Sequence, residues 1–221
     1  MIDSEPLNDQ REHWEHTFLE TNNMFGDEPS DPAKTASDIF KEEGKSTILE
    51  LGAGQGRDTI FFARLGFRVH AVDYSETGLK TIQEKADLLG ISQSVTVSRH
   101  DVRQAFPFVD ESFDACYSHM LFCMALTTTE LEFLAQEILR ILKPGGLLIY
   151  TVRHTGDPHY GKRIHRGEGM YEVNSFIVHF FSKGKVEHLA KGYDILSIDE
   201  FEEGHLPRKL FRVSLRKRFK G

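Results

Sequence analysis

"ILELGAGQGRD", residues 48–58, runs from an apolar stretch into glycines at positions 52, 54 and 56 and then into charged residues able to begin a helix. "STILEL" at 46–51 reads as a short strand, and "TIFFARLG" after the glycines reads as a helix closed by Gly66. Glycine at 52, 54 and 56 lets the backbone turn tightly and lets a ligand approach the main chain without meeting a Cβ. The helix that follows adds unpaired N–H groups and a positive dipole end. The stretch therefore predicts strand, tight loop and helix, with a partly anionic, nucleoside-like ligand at the loop. A dinucleotide fingerprint needs glycine at 52, 54 and 57, but residue 57 is Arg and the third glycine comes one position early.

Outward from the loop, "FRVHAVD" at 67–73 is a strand by its alternation and β-branched residues. "SETGLKTIQEKADLLG" then sets Leu79, Ile82, Ala86 and Leu89 on one helical face, with Ser75 as cap and Gly90 as stop. "SVTVSRHD" at 94–101 and "SFDACYSHM" at 112–120 supply a third and a fourth strand. "TTTELEFLAQEILRIL" is a helix in which Thr129 and Glu132 have capping-box spacing, and "KPGGLLIYTV" is a turn and a fifth strand. Strands alternating with helices at this pace predict an α/β fold: a Rossmann-like, mostly parallel sheet with helices on both faces and binding groups at the carboxyl ends of the strands. Beyond residue 152 the pattern breaks. "RHTGDPHYGKRIHRGEGMYEVNS" has no clear period and reads as a long, mobile loop, either a functional lid or a disordered crossover. "FFSKGKVEHLAKG" gives a short helix, and "YDILSIDEFEEGHLPRKLFRVSLRKR" gives two strands around a turn near Gly204 to Pro207. No internal repeat, low-complexity tract or linker divides the chain, so residues 1–221 are expected to form a single domain: an N-terminal part at 1–45, a core at 46–152, a crossover segment at 153–191 and a C-terminal hairpin at 192–221.

The bulk properties agree. With 221 residues, 39% hydrophobic and 28% charged, the chain can bury roughly 70% of its unfolded surface in one domain. Its apolar runs fall far short of the ~20 residues that span a bilayer, and "MIDSEPLNDQREHW" is not signal-like, so a soluble cytoplasmic protein is expected. Cys116 and Cys123 are too few for a disulfide framework and read as reduced core or pocket residues. A net charge of −7 argues against general nucleic-acid binding. The locally basic "RKLFRVSLRKRFK" alternates Phe211, Val213 and Leu215 with Arg212, Ser214 and Arg216, as a half-buried strand does.

Asp73 ends the second strand, where a carboxylate can accept hydrogen bonds from both hydroxyls of a ribose. Such charge-assisted bonds are worth about 1.5–3 kcal/mol each before desolvation. A turn or helix-capping acid is the other reading of that position. His154, His159 and His165, with Asp157 and Glu168 nearby, fit no ligand-bearing helix face, and no metal is expected. Arg153, Lys162, Arg163 and Arg166 read equally as attraction for an acidic substrate or as a solvated loop.

These segments together resemble the class I S-adenosylmethionine-dependent methyltransferases. "LELGAGQGRD" is similar to their first motif, "AVDYS" to their ribose-binding acid and "RHDV" to their adenine-contacting segment. "FPFVDESFDACYS" resembles the run into their fourth strand, and "ILRILKPGGLLIYTV" the helix, turn and fifth strand that follow. The match covers about residues 46–152, in order. It implies a seven-stranded sheet of order 3-2-1-4-5-7-6 with strand 7 antiparallel, which suits the C-terminal hairpin. It also implies that Gly52, Ala53 and Gly54, in the loop completed by Gly56, meet the methionine end of the cofactor, with the helix N-terminus facing its carboxylate. Glu50 would hold the loop and reach the amino group, Asp73 the ribose, and Tyr74 would pack near the adenine. Asp101 would accept from the adenine amino group, the Val102 N–H would donate to the ring, and Ser118 and His119 would lie nearest the sulfonium. "HWEHTFLETNNMFGDEPS" resembles the lid helix and loop of small-molecule methyltransferases related to the tellurite-resistance and thiopurine enzymes. Residues 1–45 would then be a helical lid, with Trp14, Phe18 and Phe25 closing over cofactor and substrate; aromatic anchoring of a terminal helix is the alternative.

The expected function is methyl transfer from S-adenosylmethionine to a small-molecule acceptor by in-line attack. Holding the nucleophile at attack distance can supply up to ~7–11 kcal/mol. A general base matters only if the nucleophile still carries its proton. His119 is the first candidate and His154 the second, and each also reads as a pocket-wall residue. The alternatives are a protein that binds the cofactor without turnover and a nicotinamide-dependent oxidoreductase, the latter disfavoured by Arg57 and the terminal hairpin. Transfer to a macromolecule is weakened by the acidic balance, and "SHMLF" at the end of the fourth strand lacks an Asn-Pro-Pro-aromatic signature.

Overall fold

The computed structural model describes residues 5–173, 175–204 and 208–219, and its main sheet is built outward from the strand that leads into the glycines. β1 (Thr47–Leu51) pairs in parallel with β2 (Arg68–Asp73) on one side and β4 (Phe113–His119) on the other. β3 (Val95–Arg99) joins β2, and β5 (Leu142–Arg153) joins β4, both in parallel. β10 (Arg208–Lys217) lies antiparallel between β5 and β9 (Tyr193–Glu203), so the order among the described residues is β3-β2-β1-β4-β5-β10-β9. This is the expected seven-stranded, mostly parallel sheet with its one antiparallel strand.

Apolar residues on successive positions of the central strands feed opposite faces. On one face Ile48, Ala115, Tyr117, Leu147 and Ile149 pack with α2 (Asp31–Glu42), α3 (Arg57–Arg64) and α4 (Glu76–Leu88) through Phe40, Phe62 and Ile82. On the other, Leu49, Cys116, Leu148 and Tyr150 pack with α5 (Thr128–Ile141) and α6 (Lys183–Leu189) through Leu134, Ile138 and Val186. Cys116 and Cys123 are both free thiols buried in this second layer, and burial pushes the Cys123 thiol up to about 11.

Two local expectations need correction. The capping box of α5 is Thr127 with Glu130, not Thr129 with Glu132. Both pairs have the required spacing, but starting at Thr127 sets Leu126 and Leu131, both buried, on either side of the first turn as a hydrophobic staple. The segment after β5 is no plain loop: β6 (Ile164–Gly167), β7 (Met170–Val173) and β8 (Phe176–His179) form an antiparallel three-stranded sheet. Gly167 and Gly169, both at positive φ, turn β6 into β7 and interrupt the alternation that would have announced the strands. The turn expected near Gly204 to Pro207 lies outside the described residues from 205 to 207.

α1 (Glu5–Glu20) crosses from this small sheet to α4. Leu7 packs with Ala125, Met170 and Ile177, while Glu15 accepts hydrogen bonds from the backbone and hydroxyl of Thr77. α1 and the small sheet thereby stand over the carboxyl edge of the main sheet.

Candidate active site

Under that cover lies a cavity of about 1020 Å³, at the upper end of the ~300–1,000 Å³ typical of a ligand pocket. Its floor begins at the glycine loop. The N–H groups of Gly52 and Ala53 both donate to the Val72 carbonyl, which ties the loop to β2. Gly52, Gly54 and Gly56 have φ of 72°, 53° and 84°, a region that side chains rarely adopt. The three do different work. A Cβ on Gly52 would come within 2.9 Å of Leu121, and one on Gly54 within 3.3 Å of Phe18, both beside the cavity. A Cβ on Gly56 would stand 2.5 Å from Ile82 on α4. Gly56 does not line the cavity, so its assignment to the cofactor is corrected to helix packing.

Asp73 ends β2 with its carboxylate on the cavity wall. One oxygen accepts from Gly54 N (2.8 Å) and the other from Ser75 N (2.9 Å), which uses about half of the carboxylate's lone pairs. Asp73 is thus a turn acid as well as a wall residue, and burial raises its pKa against those backbone bonds. Tyr74, Val102 and Asp101 follow along the same wall. Asp101 is more heavily committed. It accepts from Arg103 N, Nε and Nη2 and faces Arg11 at 3.5 Å, so four donors share its four lone-pair positions.

Glu50 reaches the cavity from β1 and accepts from Thr59 Oγ1 at 2.5 Å. Its burial, with the negative charge of Asp58 beside it, pushes the carboxyl up to about 8, while the Thr59 bond and Arg57 pull the other way. Asp58 is itself fixed by the Ser30 backbone N–H and hydroxyl and by Tyr117 Oη. An acid in the first turn of α3 already complements the helix dipole. Arg57, next to it, lines the cavity.

β4 and β5 bring the other end of the cavity. Ser118 is corrected here: it is fully buried, its hydroxyl donates to the Leu51 carbonyl at 3.0 Å, and it ties β4 to β1 without lining the cavity. His119 does line it. Thr151, its neighbour on β5, contacts His119 Nδ1 at 2.9 Å and accepts from Met120 N at 3.0 Å, and His119 Nε2 lies 3.4 Å from Glu203 on β9. With the Thr151 hydroxyl accepting from Met120 and donating to Nδ1, a neutral His119 carries its proton on Nε2 and turns it toward Glu203. Burial raises the Glu203 carboxyl, but His119, with Arg57 and Arg208, holds it below its ordinary value. Met120 turns the chain at φ 68° over the same spot.

His154 is corrected as a candidate base. Its ring stacks on Phe211 at 4.4 Å and accepts from Gly156 N, and it does not line the cavity. Arg153 and His159 do; Lys162, Arg163 and Arg166 do not, and Arg166 is paired with Glu172. Among the described residues no group of three His, Cys, Asp or Glu could hold a metal ion.

The roof comes from the N-terminal region. Trp14, Phe18 and Phe25 all line the cavity. Gln55, which the sequence reading passed over, clamps it: its amide donates to the Thr21 carbonyl and accepts from Met24 N. Its place inside the glycine motif was the available signal. Glu203 and Thr151 were missed as well, and nothing in their local sequence marks them; Asp157, weighed only as a metal ligand, instead pairs with Arg153.

Comparison with known proteins agrees with this architecture. Residues 48–146 match a family model described as a methyltransferase domain. Over 127 residues the chain is 33% identical to phosphoethanolamine N-methyltransferase 3 of Arabidopsis thaliana, covering 52% of this chain and 25% of that protein. A solved structure of 1,6-didemethyltoxoflavin-N1-methyltransferase from Burkholderia thailandensis, with S-adenosylhomocysteine bound, superposes with a TM-score of 0.74 at 19% identity, covering 95% of this chain and 88% of that one. TehB from Haemophilus influenzae superposes with a TM-score of 0.69 at 18% identity, covering 93% and 67%. The match takes in only 18%, 25% and 39% of the length of three curated relatives. No helix among the described residues is long and apolar enough to cross a membrane.

Proposed function

We propose, from the premise that residues 48–146 are a methyltransferase domain on the class I fold, that this chain transfers a methyl group from S-adenosylmethionine to a small-molecule acceptor. One observation carries the reading: the glycine loop, Asp73 and Asp101 share a single cavity with His119 and Glu203, large enough for two ligands side by side. The cofactor would supply a sulfonium methyl, which passes to the acceptor as the carbon–sulfur bond breaks and its electron pair stays on sulfur, leaving a neutral thioether. Asp73, with about half its lone pairs free, receives the ribose hydroxyls, and its position repels a 2′-phosphate. Tyr74 and the Val102 backbone hold the adenine. Asp101 can take the adenine amino group by releasing Arg11, the most distant of its four donors. Gly52, Ala53 and Gly54 receive the methionine end, with Glu50 for its ammonium and Arg57 for its carboxylate.

At the other end the protein's contribution is positioning and exclusion of water under the aromatic roof. His119 has both nitrogens engaged, so it serves first as a fixed wall. Where the acceptor carries a proton, the ionised Glu203, which lines the cavity beside His119, is the group that can receive it. This reading sets the reaction in the cytoplasm and among small molecules rather than nucleic acids. Calorimetric titration of the purified protein with S-adenosylhomocysteine and with NAD tests it: binding of the former alone is expected, and binding of NAD alone would overturn it.

A further inference from the structure

Past His119 the cavity wall changes character. Arg153, at the end of β5, has a side chain only 7% exposed and is held like a fork. Its Nε donates to Asp157 Oδ2 at 2.9 Å, and its Nη2 to Asp157 Oδ1 at 2.6 Å. Its plane lies against Phe180, with 5.1 Å from Cζ to the ring centroid. Asp157 also accepts from His159 N and Lys209 N, so its own capacity is filled. The carboxylate orients the guanidinium and has nothing left to offer a ligand.

Arg153 keeps one nitrogen in reserve. Nη1 has no hydrogen-bond partner among the described residues, yet it is not among the sealed, unsatisfied atoms, and Arg153 lines the cavity. Its neighbour is equally one-sided. His159 Nδ1 lies 2.8 Å from Arg153 Nη2, and because a guanidinium can only donate, Nδ1 must accept and the imidazole proton must sit on Nε2. The His159 side chain is 38% exposed and lines the same cavity. Arg208, across the β9–β10 ladder from Glu203, lines it too. These three side chains present donors. The acidic side chain at this end, Glu203, already faces His119. Leu121, Met124 and Val178 give the same cavity apolar wall.

We propose that Arg153, His159 and Arg208 form an oxyanion subsite at the acceptor end of the cavity, and that the acceptor is a small molecule with a carboxylate or phosphate on an apolar body. The proposal rests on the methyl-transfer reading for the word acceptor, but not for the anion site itself. A planar, preoriented guanidinium with a free edge suits the paired oxygens of such groups and discriminates against a neutral isostere, which would leave that edge unpaired.

The test is calorimetry on the full chain saturated with S-adenosylhomocysteine, titrated with benzoate, phenyl phosphate and benzamide. At least one anion is expected to bind about tenfold or more tighter than benzamide, and the better anion identifies the oxyanion preferred. Arg153→Gln is expected to remove that preference while leaving affinity for S-adenosylhomocysteine unchanged. Arg208→Gln, on an exposed strand end that cannot endanger the core, is expected to weaken the anion severalfold and decides the matter if Arg153→Gln fails to fold. Benzamide binding as tightly as both anions, or full anion affinity in a folded Arg153→Gln protein, would overturn the proposal. If S-adenosylhomocysteine does not bind at all, the methyl-donor reading falls, and the same titration of the free protein still judges the anion site.

Discussion

The two ends of the cavity are built in different ways. The glycine-loop end comes from residues 50–102, consecutive strand ends whose geometry is set by short-range backbone needs: glycine where φ is positive, an acid where two N–H groups converge. The His119 end is assembled from β4, β5 and the β9–β10 hairpin, so its contacts join residues far apart, such as His119 with Glu203. Local rules write themselves into sequence as fixed spacing. Long-range contacts leave no comparable trace.

Five substitutions press on this contrast, from the largest expected effect to the smallest. Asp73→Ala removes the acid that ties the glycine loop to the end of β2, and affinity for S-adenosylhomocysteine should fall by about 3 kcal/mol or more, a hundredfold by calorimetry. Unchanged affinity would remove the ribose assignment. Gly56→Ala should cost about 2–4 kcal/mol, since it combines left-handed strain with a clash on Ile82. The melting temperature should then drop by roughly 5–15 °C. Gly66→Ala is the matched control: φ is 90° there but open space surrounds it, so only the strain of about 1–2 kcal/mol is expected.

Glu50→Gln tests the buried acid. Its folded pKa of about 8 exceeds the ordinary 4.5, so between those values the folded protein keeps a proton that the unfolded chain has lost. Wild-type stability should therefore decline with rising pH across that window, by at most about 1.4 kcal/mol per pH unit, and level off above it. Glu50→Gln should abolish the decline in urea titrations at pH 5.5, 7 and 8.5; an equal slope in both proteins would show that Thr59 and Arg57 keep Glu50 ionised. Phe18→Ala should have the smallest effect. It uncovers Gly54 but sits on a terminal helix, so dissociation of S-adenosylhomocysteine should quicken about three- to tenfold, read by stopped flow, with little change in melting temperature. A collapse in global stability would instead make α1 part of the core.

The same contrast explains what could be read in advance. The sheet order, the glycine loop and Asp73 were legible because periodicity and φ demand particular residues at particular offsets. The errors fell where two local solutions coexist. Thr127 and Thr129 both head a capping box, and the Leu126–Leu131 staple that chooses between them is a packing fact. Gly56 and Ser118 carry the right types at the right strand ends, yet Ile82 claims one and the Leu51 carbonyl the other. β6 to β8, four residues each and broken by glycine, are too short for alternation to register and exist by virtue of one another and of α1.

The antiparallel position of β10 has a consequence for the order of events at the ribosome. β9 is synthesised first, but in the finished sheet it is hydrogen-bonded to β10 and not to β5. Until β10 emerges, the open edge of β5 faces solvent with Leu148, Tyr150 and Val152 along it, and Glu203 has no route to His119. The nascent chain can therefore set β1 to β5 and the glycine loop in place while the contact of His119 with Glu203 is still unmade. A pause or a misfolding event in β10 would leave the glycine loop formed and His119 without Glu203.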